Sequence, residues 1–145
     1  MKAVIQRVKE ASVSINNNLY SSVSTGLLVF LGVEKGDEKF NAEKLAEKIL
    51  KLRIFEDENG KMNYSVSDIK GEILVVSQFT LCGDCKKGTR PSFDNSAPPK
   101  EARYLYEYFT EILKESGLLV KTGVFGADMK VMLLNDGPVT FVLEK

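Results

Sequence analysis

Gly26-Leu27-Leu28-Val29-Phe30-Leu31-Gly32-Val33 is a continuous apolar run, closed by charge at Glu34 and Lys35. So short a run without polar alternation reads as a strand buried on both faces, so structure must cover it on two sides. Upstream, the alternation in Ala3 to Val8 and in Ala11 to Ile15 predicts two strands, and Asn16-Asn17-Asn18 predicts a turn into a third, Leu19 to Val23. Downstream, Asp37 is placed to cap a helix running to about Leu52. Leu45, Ile49 and Leu52 recur at helical spacing, and Glu43, Lys44, Glu47, Lys48 and Lys51 face water. Glu47 with Lys51 and Lys44 with Glu47 stand at supportive spacings.

Asp57 to Gly60 reads as a turn, Ile73 to Phe79 as a strand, and Cys82 to Pro98 as a polar loop of the length that usually carries function. Pro98-Pro99 opens a second helix whose apolar stripe is Ala102, Leu105, Phe109, Ile112 and Leu113, and Gly117 ends it. Strands near Leu119 to Thr122, Met129 to Leu134 and Val139 to Glu144 close the chain. The pattern is α+β, mainly antiparallel, with two helices packed on strands, and 145 residues without linker or repeat suit one domain, 1–145.

Lysine plus arginine and aspartate plus glutamate each total 20, so net charge gives no sign of a polyanionic partner, and any RNA contact must be local. No apolar run approaches the ~18 to 20 residues of a membrane helix, and the start lacks a signal peptide's apolar block, which suggests a cytoplasmic location. There is no histidine. Ser-His-Asp and Cys-His chemistry is therefore impossible within one chain, and hydrolysis would have to use hydroxyls, backbone amides, a carboxylate or the substrate itself. Cys82-Gly83-Asp84-Cys85 could be a redox pair or half a zinc site. No further Cys or His completes tetrahedral zinc, and a loop rather than a helix follows, so two reduced thiols without a catalytic role are expected. Neither metal nor cofactor is expected.

Two polar segments remain. Ser77-Gln78-Phe79-Thr80-Leu81 ends the apolar run Ile73 to Val76. On a regular strand Gln78 and Thr80 share one face and Ser77 and Phe79 the other, unless a bend turns successive amides toward one point. Read plainly, it is a solvated strand end. Asn135-Asp136-Gly137-Pro138-Val139-Thr140 reads plainly as a turn between two strands, although a Gly-Pro step lacks one amide donor and leaves carbonyls free. Gly123 to Met129, with Phe125 and Gly126, reads as a glycine-flanked turn. Lys86, Lys87 and Arg90 are either a solvated loop or phosphate contacts, and Arg7 is a further cation of that kind. Arg90-Pro91-Ser92-Phe93 could instead pack the loop against the pocket.

In this order, the two polar segments resemble the SQ-x-TL and NxGPxT signatures of the D-aminoacyl-tRNA deacylases. Met1 to Val8, Leu52 to Asn63 (LRIFEDENGKMN), Lys87 to Phe93 (KGTRPSF) and Gly123 to Met129 (GVFGADM) look familial too, so the likeness spans the chain. It implies a barrel-like homodimer with sites at the subunit interface, and hydrolysis of the ester between a D-amino acid and the 3′-terminal adenosine of tRNA. The ester would sit at Ser77, Gln78, Phe79 and Thr80. Thr80 could be a nucleophile, but it lacks a base. The alternative has the Phe79 and Thr80 N–H groups as oxyanion hole and the adenosine 2′-hydroxyl orienting water. The likeness further implies a cis Gly137-Pro138 whose carbonyls enter the partner's site, accept from the α-ammonium and reject L-residues, with glycine admitted for want of a Cβ. Phe125, Gly126 and Met129 would hold the adenine. Readings from other classes are a non-catalytic binder of nucleic-acid 3′ ends and a thiol redox protein built on Cys82 and Cys85.

Overall fold

In a computed structural model describing residues 1–145, the apolar run forms β3 (Gly26–Gly32), central and buried on both faces. On one side it pairs antiparallel with β1 (Lys2–Ile15), from Lys2 opposite Gly32 to Val8 opposite Gly26. On the other it pairs parallel with β6 (Glu72–Ser77), which pairs parallel with β7 (Val120–Thr122). The remaining strands are β2 (Asn18–Val23), the short hairpin β4 (Phe55–Glu56) and β5 (Met62–Tyr64), and β8 (Lys130–Glu144). The sheet order is β2-β1-β3-β6-β7, with β8 along the other side of β1. Ser21 Oγ donates to the Thr122 carbonyl at 2.9 Å, tying β2 to β7 and leaving the barrel nearly closed.

Side-chain alternation along β3 and β6 divides the core in two. Leu27, Val29, Leu31, Ile73 and Val75 pack under α1 (Lys39–Lys51) and α2 (Pro99–Glu115), whereas Leu28, Leu74 and Val76 meet Val8, Ala11, Val13 and Val23 inside the barrel. Each fully buried aliphatic side chain contributes about 1.5 to 3 kcal/mol. Burial on both faces explains why these strands carry no polar alternation.

The α+β class, the two helices, the asparagine turn and the Pro98-Pro99 helix start are as the sequence predicts; Asn16 and Asn17 take φ of 51° and 61°. Four details differ. The two expected N-terminal strands are one, β1, with exposed Lys9 and Glu10 at an irregularity rather than a break. The last two strands are likewise one, β8. The centre of the sheet is parallel, although four of the six strand pairings are antiparallel. Finally, Glu38 rather than Asp37 caps α1: Asn41 Oδ1 accepts from the Glu38 N–H at 2.8 Å. The Asp37 carboxylate instead accepts from the Met1 ammonium and the Glu34 N–H.

Candidate active site

β6 ends at Ser77, Gln78 leaves the strand at φ −144° and ψ 80°, and Phe79–Cys82 wind into one 3₁₀ turn. The bend is local and has a cause. Gly32 lies beneath the turn, where a Cβ would meet Cys82 Sγ at 3.0 Å and the Gln78 carbonyl at 3.1 Å, so only glycine lets the turn settle on β3. The buried Cys82 thiol donates to the Val33 carbonyl at 3.4 Å, and burial pushes its pKa up; Cys85 is exposed and both thiols are free.

Hydrogen bonding in the turn begins with Leu81 N–H donating to the Gln78 carbonyl at 3.2 Å. The N–H groups of Phe79 and Thr80 stand ahead of that bond and outside the turn's ladder, as the first amides of any helical turn do. Gln78 Nε2 donates to Thr80 Oγ1 at 2.5 Å, which holds the hydroxyl against a carboxamide.

This strand end opens into a cleft of about 730 Å³. Ser77, Gln78 and Phe79 line it together with Phe125, Gly126 and Met129, so the structure joins two segments nearly fifty residues apart in sequence. Phe93 comes in from the long loop and meets the Phe79 ring edge-on, centroids 5.0 Å apart, so that part of the loop packs on the cleft. Tyr106, which the sequence reading passed over, lines the cleft from α2, meets the Phe125 ring at a tilt of 53° with centroids 5.7 Å apart, and donates to the Val75 carbonyl at 2.9 Å. Burial holds its phenol well above the ordinary range, so it serves as a neutral donor. Its place four residues after Ala102, on the apolar stripe of the second helix, was the available signal.

Thr80 is exposed and is not among the residues that line the cleft; Lys86, Lys87 and Arg90 are exposed on the loop and also outside it. Gly137 and Pro138 lie elsewhere on the protomer, exposed on β8, with a cis peptide between them. They do not form a turn between strands. Asp136 to Val139 stand opposite Arg7 alone, an outward excursion in a strand otherwise paired to β1. Asn135 closes it from inside: Oδ1 accepts from Val139 N–H at 2.9 Å, and Nδ2 donates to the Val139 carbonyl at 3.0 Å and the Arg7 carbonyl at 3.3 Å. Arg7 braces it from below. Its guanidinium, 5% exposed as a residue, donates to the Asp136 carbonyl and, across to the β4 hairpin, to the Ile54 carbonyl, both at 2.8 Å. Glu56 Oε1 at 3.4 Å and Asp136 Oδ2 at 3.6 Å balance its charge. Arg7 is thus committed within the fold and is no phosphate contact, which corrects the sequence expectation.

A nearly closed barrel with two helices on one face, a polar strand end in an apolar cleft and a braced Gly-Pro excursion define a class already represented among solved structures. The "c-Myc DNA Unwinding Element Binding Protein" structure superposes with a TM-score of 0.95 at 44% identity, covering 100% of this chain and 99% of that one. A structure described as a probable eukaryotic D-amino acid tRNA deacylase shares the fold at a TM-score of 0.83 and 17% identity. The family model described as D-Tyr-tRNA(Tyr) deacylase matches residues 4–144, and the chain belongs to that family. D-aminoacyl-tRNA deacylases from Geotalea daltonii and Thermotoga petrophila are 62% and 57% identical to it over 144 residues. Each alignment covers 99% of this chain, and 96% and 97% of the respective relatives.

Proposed function

We propose that the chain hydrolyses the ester between a D-amino acid and the 3′-terminal adenosine of tRNA, and that the cleft at Ser77-Gln78-Phe79 is where this happens. The observation that carries the reading is the pair of amides at the head of the 3₁₀ turn, outside its ladder and beside an apolar cleft wide enough for a nucleoside. Two preorganised donors suit the oxyanion of a tetrahedral intermediate, and losing one such donor typically costs about 2.7 to 4 kcal/mol of barrier. An aminoacyl ester is already activated, so little acid-base assistance is required. The adenosine's own 2′-hydroxyl orients the attacking water. Thr80 supplies its amide rather than a nucleophile, since its hydroxyl faces the Gln78 carboxamide and no base reaches it.

Phe125, Gly126 and Met129 hold the adenine by stacking and apolar contact, as single-stranded ends are commonly held. Gly137 and Pro138 stand outside their own protomer's cleft, and β8 presents Met132, Leu134 and Val142 at 72%, 55% and 68% exposure on a strand paired only to β1. Such an apolar open edge suits a second copy of the chain. In the resulting C2 dimer each Gly137-Pro138 pair enters the partner's cleft and accepts from the substrate ammonium. An L-residue then drives its Cβ into rigid backbone, whereas a D-residue turns its side chain outward and glycine has none to reject.

Release of labelled D-tyrosine from D-Tyr-tRNA, with chelator present, tests the activity. Steady turnover is expected. Binding of the RNA without release would favour a non-catalytic 3′-end binder, the reading nearest the DNA-binding name of the 44% identical structure.

A further inference from the structure

Lys35 and Asp128 are the charged residues of the cleft lining, one of each sign and not paired with one another. A polyanionic end gains from a further cation at the rim. Arg103 stands there, exposed on α2, with its guanidinium carbon 5.4 Å from the centre of the Phe125 ring and Nη2 donating to the Phe125 carbonyl at 3.4 Å. Glu107, four residues on, offers the usual helical pairing partner. The guanidinium ignores it, and no carboxylate lies within ion-pair distance. An arginine turned from an available carboxylate onto an aromatic ring keeps its charge unneutralised, with most of its five N–H donors free.

We infer that Arg103 is a substrate-binding residue that grips a backbone phosphate at the 3′ end of the RNA. The assignment rests on the proposed reading of Phe125 as an adenine contact. A base held at Phe125 carries its 5′ phosphate one sugar away, within the reach of a side chain as long as that of Arg103. A planar guanidinium offers a phosphate two parallel N–H donors, which the point charge of a lysine does not.

The test compares two D-tyrosyl esters, full D-Tyr-tRNA and 3′-D-tyrosyl-adenosine, which has the base and the ester but no phosphate. With Arg103→Ala, KM for the tRNA should rise about tenfold with kcat little changed, and the salt dependence of kcat/KM should flatten by about one counterion. Both parameters for the nucleoside ester should stay within about twofold of wild type. Arg103→Lys should retain the salt slope while recovering only part of the affinity. Equal losses on both esters would mean that Arg103 merely props Phe125, and no loss on either would mean that it is idle; both overturn the phosphate contact. Failure of the wild type to hydrolyse either ester would instead overturn the deacylase reading, and this assignment with it.

Discussion

Thr80 offers the reaction two groups, a hydroxyl and an amide N–H, and they lead to opposite expectations. If the amide is what matters, Thr80→Ala preserves it, and the substitution loses only a hydroxyl bound to Gln78 at the cleft rim. A neutral hydrogen bond of that kind contributes about 0.5 to 1.5 kcal/mol, so the variant should keep about a tenth or more of wild-type kcat. A nucleophile would behave differently. Its loss should abolish turnover, and quenched-flow mass spectrometry of the wild type should trap an acyl group on Thr80; finding that adduct would refute the oxyanion account. Gly137 makes the complementary case. Its φ is +157°, and a Cβ there would lie 2.6 Å from both the Val139 amide nitrogen and its Cγ2. Gly137→Ala must therefore displace the backbone of the excursion. Deacylation should fall by tenfold or more even when assayed well below the melting temperature, which should itself fall because the clash is with the buried Val139. Unchanged kcat/KM in this variant would separate the excursion from catalysis.

At the scale of elements, the β8 excursion is held by side chains far away in sequence, and this is where prediction from sequence was weakest. Asn135-Asp136-Gly137-Pro138 has ordinary turn composition, and nothing local says that its ends continue as one strand. Pairing to β1 and the brace from Arg7 decide that. Arg7 itself sits in an alternating strand, where a cation usually faces water; only the arrival of Ile54 and Glu56 from the β4 hairpin buries it. The parallel pairing of β3 with β6 did have a signal, since both are continuous apolar runs of the kind parallel strands buried on both faces carry, but such a run by itself does not name its neighbour. What could be read was whatever depends on period or on a single residue type, namely the α2 stripe, the Pro98-Pro99 start, the asparagine turn and the polar end of β6. The cleft formed by Ser77, Gln78 and Phe79 with Phe125, Gly126 and Met129 came through family likeness, since no spacing rule links segments so distant. Asn135 tests the element directly. Asn135→Ala removes the two bonds to Val139 and the one to the Arg7 carbonyl and should cost about 1 to 3 kcal/mol of stability. Assayed well below its melting temperature, the variant should still lose deacylation by tenfold or more. A destabilised but fully active variant would show that catalysis does not need the excursion held in shape.

For the whole molecule, the proposed entry of Gly137-Pro138 into a partner's cleft, beside the exposed apolar strip on β8, requires that the active species contain two copies. Met132→Lys with Leu134→Glu places charge at positions already exposed in the protomer, so its fold should survive, with unchanged circular dichroism. Sedimentation at assay concentration should find this variant monomeric and the assay should find it inert. A fully active monomer would remove the cross-subunit arrangement. The claim that joins every scale is that backbone, not a side-chain pocket, selects the mirror form of the amino acid. It is met most directly by one matched set of substrates, the D- and L-esters of tyrosine and of aspartate on tRNA, assayed with the wild-type protein. Both D-esters should be hydrolysed at comparable kcat/KM and both L-esters spared. Hydrolysis of L-Tyr-tRNA at a similar rate, or of only one of the two D-esters, would contradict selection by backbone.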